Sequence, residues 1–432
     1  MSVPVAVSVT GAQLPRSGEG STGRALAFVY AGYLFRYAYL LVLIPFYGRV
    51  LGAGEYGRLL AAMSLYQVVW LLIEYGFPIS GARDAAGTTH RRQLAALYGR
   101  HMMGRLALVL AGVAIGVGGT LLSPLLRETP ALGILATANG IVAAFNLGWY
   151  FQGTLRFRTS VMIEVAGFAI SLPLILLFVR GPGDAWIVLA ALLASGVVCT
   201  AVAHGIALRS MDRHGIRWKG GFSLVRESTA LFLHKGLTMM MASSSTYLLS
   251  LFATAAQVGW YGVAERLAAV GLSLMQPANH VLVGTVARRI SAKESEAEAY
   301  TLMRSSLIVM TSFGMLLLAG AALLAGAVVP FVLGPSFAPT VPMLQILALM
   351  FPFAAFCQVT SGYILIPLRF DRLVSAVSLF GAAVTVGLVV ALGLGMGGIG
   401  VAWARTIGYV AIALFLLAIL HRKQLLTRIW QA

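Results

Sequence analysis

Residues 104–123 are GRLALVLAGVAIGVGGTLLS, a stretch in which one arginine is the sole charged residue. A run of this length crosses the ~30 Å hydrocarbon core of a bilayer as an α-helix. Similar stretches recur along the 432 residues, of which 59% are hydrophobic and 10% are charged. Soluble domains carry about 25% charged residues. The composition therefore excludes a soluble globular enzyme, a disordered chain and a secreted disulfide scaffold, and it predicts an all-α polytopic membrane protein.

Apolar runs separated by charged or Gly/Pro-rich breaks predict twelve transmembrane helices. The longest of the predicted loops divides them into two six-helix lobes, for which a central cavity is expected. The predicted spans are 25–48, 59–80, 104–123, 131–153, 161–179, 185–207, 230–254, 258–285, 305–329, 341–366, 373–394 and 398–420. The predicted domains are a disordered cytoplasmic tail (1–23), an N-terminal lobe (24–207), a basic cytoplasmic linker (208–229), a C-terminal lobe (230–420) and a cytoplasmic C-terminal tail (421–432).

The basic residues predict the orientation in the membrane. With the N-terminus inside, 23 of the 31 Lys and Arg fall in inside segments and 4 in outside segments. Cytoplasmic loops of membrane proteins collect Lys and Arg, which also explains a net charge of +17 without nucleic acid as a partner. Both termini are therefore expected in the cytoplasm.

Two short matches relate the halves of the chain. Glu55-Tyr56-Gly57 resembles Trp260-Tyr261-Gly262 at an offset of 205 residues, and Leu155-Arg156-Phe157 recurs as Leu368-Arg369-Phe370 at an offset of 213. Each pair falls at equivalent places of the two six-helix sets. This pattern indicates a duplication with a cleft between two lobes.

Four basic residues lie within the predicted spans, away from their inside ends: Arg36, Lys235, Arg266 and Arg405. Arg105, the second residue of its span, is counted with the inside segments. A charge at this depth costs several kcal/mol unless it faces a cavity or a partner. At 1.5 Å per residue, Arg36 lies roughly 18 Å from the inside face, and Arg266 lies near the same midplane level. Together the four form a positive path across the membrane, which suits an anionic substrate.

Tyrosines and acids accompany these basic residues. Tyr33 and Tyr37 share a helix face with Arg36, where they can stack on and hydrogen-bond a sugar, although helix packing explains the same spacing. Glu74 is the deep acid that could couple an ion. Glu265 adjoins Arg266, and Glu164 lies close to the inside mouth.

Motifs for catalysis are absent from the sequence. It has no phosphate-binding GxxxxGK[ST] loop, no HExxH, no CxxC and no GxSxG. The predicted outside loops are too short for a catalytic domain. We therefore expect a transporter and not an enzyme, with no catalytic residue, no metal and no cofactor.

Four stretches resemble bacterial polysaccharide flippases of the Wzx (O-antigen) type: PFYGRVLGAGEYG (45–57), EYGFPISGAR (74–83), WYFQG (149–153) and GWYGVAER (259–266). These flippases belong to the MOP superfamily of multidrug, oligosaccharidyl-lipid and polysaccharide exporters. The resemblance implies a V-shaped cavity and the flipping of an undecaprenyl-diphosphate-linked oligosaccharide across the cytoplasmic membrane. It also implies membrane lipid, a polysaccharide polymerase and other assembly proteins as partners.

Two other functions remain as alternatives. A small-molecule exporter of the multidrug branch would favour cationic drugs and use several intramembrane acids, whereas here the basic residues outnumber Glu74. A membrane-embedded polysaccharide polymerase or ligase would need a sizeable outside loop with catalytic residues, whereas the longest predicted loops are inside.

Overall fold

The computed structural model describes residues 19–88, 90–232, 244–275 and 296–431, and within them no β-strand occurs. The helices up to residue 249 are α1 (Glu19–Glu74), α2 (Phe77–Ala86), α3 (Arg91–Leu122), α4 (Pro124–Glu128), α5 (Pro130–Ala144), α6 (Gly148–Gly153), α7 (Phe157–Phe178), α8 (Ala185–Ser210), α9 (Gly221–Leu231) and α10 (Ser245–Leu249). The later ones are α11 (Ala255–Ser273), α12 (Glu296–Leu333), α13 (Thr340–Ala348), α14 (Met350–Val359), which continues as a π-helix over Thr360–Leu365, α15 (Asp371–Arg422) and α16 (Leu425–Gln431).

Eight of the described helical stretches are long and apolar enough to cross a membrane. Two of them, α1 and α15, each contain two predicted spans. A break in the helix separates the two spans, at Gly52 in α1 and at Gly397 in α15. Both glycines have positive φ, 72° and 57°, a conformation that costs other residues more. The eighth predicted span, 258–285, and the seventh, 230–254, lie partly outside the described residues.

The described residues fall into two compact units, one within Leu14–Ala256 (the first unit) and one within Gln257–Ala432 (the second unit). The sequence assigns residues from 230 onward to the C-terminal lobe, but residues 244–256 pack within the first unit. There the Tyr247 hydroxyl donates to the Gly119 carbonyl at 2.7 Å, and Ser250 Oγ lies 2.9 Å from Ser123 Oγ. The lobe boundaries drawn from the sequence stay a prediction.

Helices α3 and α5 cross through a reciprocal glycine–threonine contact. A Cβ added to Gly116 would lie 2.2 Å from Thr137 Oγ1, and one added to Gly133 would lie 2.2 Å from Thr120 Oγ1. Each threonine hydroxyl donates to the glycine carbonyl one turn earlier in its own helix, at 2.8 Å. The hydroxyls are therefore satisfied within each helix, and the two backbones approach closely.

The predicted basic linker lies along the first half of α3. Gly99 faces the backbone of Arg217, where an added Cβ would be 2.6 Å from its carbonyl oxygen. Arg100 Nη2 donates to Glu227 Oε1 at 2.6 Å. Backbone contact at a glycine and an ion pair together fix this segment against the helix.

The same helix-ending turn occurs in both units. Leu155 and Arg369 have positive φ, 57° and 65°, and each donates its N–H to the carbonyl three residues earlier. The next residues, Arg156 and Phe370, donate to the carbonyl five residues earlier, at 2.7 and 2.9 Å. This bonding is a Schellman motif. The structural offset is 214 residues and not the 213 of the sequence match, because Leu155 corresponds to Arg369.

The crossing of α3 and α5 leads to a matched pair of variants. Gly116→Ala must push Thr137 away, whereas Gly118→Ala meets nothing within 4 Å. Both changes raise helix propensity equally, so we expect Gly116→Ala to be less stable than Gly118→Ala by about 1–3 kcal/mol. Thermal unfolding of the purified protein in detergent measures the difference. Equal melting temperatures would contradict the close crossing.

Candidate functional site

Four of the residues predicted for the site have side chains that the structure describes. Arg36 and Glu74 lie on α1, Arg266 on α11 and Arg405 on the second half of α15. Lys235 lies outside the described residues. The backbones of Tyr33 and Tyr37 belong to α1, but their side chains are outside the described part of the structure.

Arg36 forms an ion pair with Glu164 of α7. Arg36 Nε donates to Glu164 Oε1 at 2.8 Å, and Nη2 donates to the same oxygen. The Arg36 side chain is 15% exposed and that of Glu164 is 37% exposed. A basic residue in an apolar helix is thus held by a carboxylate that remains partly accessible, which leaves room for another oxyanion to compete.

An aromatic and polar contact lies one turn from Arg36 at the same helix pair. The Tyr39 hydroxyl and Ser171 Oγ are 2.8 Å apart, and the Tyr39 ring lies 4.6 Å from that of Phe168. Tyr33 and Tyr37 were predicted from their helical spacing from Arg36, whereas Tyr39 was not among the predicted site residues. The i, i+3 spacing of Arg36 and Tyr39 was the available signal.

Arg405 forms the corresponding type of pair in the second unit, with Glu265 of α11. Their side chains are 13% and 20% exposed. The buried Tyr261 hydroxyl donates to Glu265 Oε1 at 3.5 Å. The sequence places Glu265 beside Arg266, and the structure brings it to Arg405 across 140 residues of chain.

These two ion pairs change the expected charge balance. The sequence predicts a positive path formed by four basic residues, yet Arg36 and Arg405 each contact a glutamate. Arg266, half-buried on α11, adjoins the second pair. The local charge at each pair is therefore smaller than the sequence suggests.

A buried arginine, Arg105 on α3, was missed as a site residue. It was counted among the cytoplasmic basic residues, but its side chain is 0% exposed. Glu74 lies near enough for the two charges to interact, and Glu74 hydrogen-bonds the Trp70 side chain. None of the three guanidinium nitrogens of Arg105 hydrogen-bonds a described residue.

Aromatic rings surround this guanidinium. Its carbon lies 5.8 Å from the ring centre of Phe77 and 5.9 Å from that of Trp149, within the range of cation–π attraction. His101 stacks on Trp149 at 4.4 Å. We call Glu74, Phe77, His101, Arg105 and Trp149 the Arg105 cluster.

Two of the four stretches that carry the family resemblance meet at the Arg105 cluster. Residues 74–83 supply Glu74 and Phe77, and residues 149–153 supply Trp149. Gly81 lies so near that an added Cβ would be 2.7 Å from the Trp149 ring and 2.9 Å from His101. The glycine in the first stretch therefore makes room for the tryptophan in the second.

This chain is similar to known proteins named for polysaccharide biosynthesis and O-antigen transport. Residues 24–288 match the family described as polysaccharide biosynthesis protein. A "Putative O-antigen transporter" of Shigella dysenteriae is 20% identical over 363 residues, which cover 82% of this chain and 87% of that protein.

Solved structures show the fold. A lipid II flippase MurJ structure in an inward closed conformation has a TM-score of 0.71 at 12% identity, covering 92% of this chain and 87% of that one. An inward-facing multidrug resistance MATE transporter of the MOP superfamily has a TM-score of 0.68 at 14% identity, covering 91% and 96%. The predicted all-α polytopic fold and the resemblance to the MOP superfamily are confirmed, and the chain is an integral membrane protein.

The Arg405–Glu265 pair allows a double-mutant test. Removing one partner leaves a mostly buried charge uncompensated, so we expect Glu265→Gln to lower the free energy of unfolding by about 3 kcal/mol. The double variant Glu265→Gln/Arg405→Gln should regain more than half of that loss. Thermal unfolding in detergent measures the wild type, Glu265→Gln, Arg405→Gln and the double variant, and additive losses would contradict the pairing.

Proposed function

The chain belongs to the polysaccharide biosynthesis protein family, and from this premise we propose that it flips an undecaprenyl-diphosphate-linked oligosaccharide across the bacterial cytoplasmic membrane. The proposal is supported by the relative named as an O-antigen transporter and by the fold it shares with a lipid II flippase. The observation that carries it is the Arg36–Glu164 pair, a guanidinium kept within an apolar helix by a partly exposed carboxylate.

The physical obstacle to flipping is the polar head of the substrate. A diphosphate with attached sugars cannot enter hydrocarbon without replacing its lost hydration. Fixed guanidinium groups replace it, while the lipid tail remains in the bilayer. An inside-negative potential also drives about two negative charges outward, by roughly 4–5 kcal/mol per 100 mV.

In this proposal the basic residues bind the diphosphate. Arg36, Arg266, Lys235 and Arg405 supply positive charge, and Tyr33 and Tyr37 contact the sugars. The phosphate oxygens compete with Glu164 for Arg36. Return of Glu164 to Arg36 then favours release, because the guanidinium regains a partner as the diphosphate leaves. Alternating access of the two six-helix lobes carries the bound head across.

Glu74 is the proposed ion-coupling residue. It combines an acid within an apolar segment with the nearby charge of Arg105. A proton on Glu74 would remove its attraction to Arg105, so protonation can favour one arrangement of the cluster over another.

The proposed setting follows the positive-inside rule. Both termini face the cytoplasm, and a polysaccharide polymerase and other assembly proteins take the product at the outer face. The proposed function is transport without catalysis. The second candidate, export of small molecules, is favoured by the structural similarity to a multidrug transporter.

A pair of arginines on α1 tests the proposal. Arg36→Ala should reduce surface polysaccharide by about tenfold or more in cells that depend on this protein, because a charge-assisted bond to phosphate is lost. Arg49→Ala, an exposed arginine of the same helix, should leave it unchanged. Membrane abundance of each variant is the control. Normal polysaccharide from both Arg36→Ala and Arg266→Ala, or drug efflux in its place, would overturn the proposal.

Glu74 is tested separately in proteoliposomes. If Glu74 couples a proton, Glu74→Gln should abolish the dependence of flipping on an imposed pH gradient while substrate binding persists. Glu164→Gln keeps that dependence, because it alters the binding pair alone. Flipping by Glu74→Gln that responds to the gradient as the wild type does would exclude this role.

A further inference from the structure

One end of the first unit contains a basic cavity. Its volume is about 810 Å³, and the ends of α2, α6 and α8 and the start of α3 surround it. Three arginines line it, Arg91, Arg156 and Arg209, and its described lining includes no acidic residue. All three are exposed, so the cavity opens to the surroundings.

Arg91 is fixed in place by the end of α8. Its Nε donates to the Ser210 carbonyl at 3.0 Å, and its Nη2 donates to the Arg209 carbonyl at 3.0 Å. These bonds hold Arg91 beside the backbone that carries Arg209. Arg91 and Arg209 both line the cavity, so an anion bound there offsets two positive charges.

The side chains of the other two arginines are not held by hydrogen bonds within the described part of the chain. Arg156 and Arg209 form no side-chain hydrogen bond or ion pair with another described residue. The nearby hydroxyls are already engaged: Tyr150 with Ser210 at 2.7 Å, and Thr154 with the Tyr150 carbonyl at 2.7 Å. The available ligand groups of the cavity are therefore guanidiniums.

An apolar side chain stands at the rim of this cavity. Leu155 lines it, is 54% exposed and precedes Arg156. Its φ of 57° is left-handed, a conformation that residues with a Cβ rarely adopt. The strained turn presents a leucine and an arginine side by side. Such a rim suits an amphiphile with an anionic head and an apolar body.

We propose that this cavity binds the phosphate of an anionic phospholipid headgroup. Basic pockets between transmembrane helices on the cytoplasmic side recognise such headgroups. The inference does not depend on the proposed function, since the cavity lies within the first unit and includes none of the residues assigned to substrate binding. The bound lipid would hold the ends of α2, α6 and α8 together.

The full-length protein in nanodiscs tests the site. Phosphatidylglycerol should raise the melting temperature above that in phosphatidylcholine, and native mass spectrometry should show retained phosphatidylglycerol. Arg156→Gln/Arg209→Gln should weaken this binding about thirtyfold. The matched control Arg217→Gln/Arg226→Gln removes two exposed arginines outside the cavity and should leave phosphatidylglycerol binding unchanged.

Four results would overturn the inference. Equal loss in the control pair would indicate diffuse surface charge, and unchanged binding in the cavity pair would exclude the arginines. Stabilisation by inorganic diphosphate without lipid, to the same extent, would assign the site to a soluble phosphate. If the double variant does not fold, Arg156→Gln alone, an exposed position, should weaken binding about fivefold, and no weakening would also overturn the inference.

Discussion

The cost of charge within apolar helices determines much of this structure. A guanidinium in hydrocarbon must have a carboxylate, aromatic rings or water beside it. Each described deep arginine with known contacts has found such a partner: Arg36 has Glu164, Arg405 has Glu265, and Arg105 lies between Phe77 and Trp149. The helices α1, α7, α11 and α15 are thereby joined in pairs by charge within each unit.

Close contact between backbones stabilises the association of the helices, which burial of apolar side chains does not do within a membrane. Lipid tails are as apolar as leucine, so helices in a membrane associate by packing and not by exclusion of water. Gly116 on α3 packs against Thr137 on α5, and Gly133 on α5 packs against Thr120 on α3. In the second unit Gly408 packs against Thr385 in the same way. Thr385 Oγ1 donates to the Gly381 carbonyl at 2.8 Å, as the first-unit threonines do to their own glycines. The same device thus occurs in both units.

The helix-ending turns at Leu155 and Arg369 show the internal repeat in the hydrogen bonds of the backbone. The sequence match at Leu155 and Leu368 pointed to the right place, and the hydrogen bonds show that the corresponding residues are Leu155 and Arg369. Three identical letters cannot reveal a shift of one residue, because a helix end is defined by bonds to carbonyls several residues earlier. The left-handed residue in each turn is not glycine, so its usual sequence signal is missing.

The sequence by itself determined the membrane class, the helical fold, most spans and the apolar setting of Arg36, Glu74, Arg266 and Arg405, because length and hydropathy are local properties. Tertiary structure alone decided the partners. Arg36 and Glu164 are 128 residues apart and Arg405 and Glu265 are 140 apart, so no local pattern could pair them. Arg105, assigned to the cytoplasm by sequence, is buried because α2 and α6 fold their aromatic residues over it. Charge pairing depends on distance in space, and that distance exists only once the helices have packed.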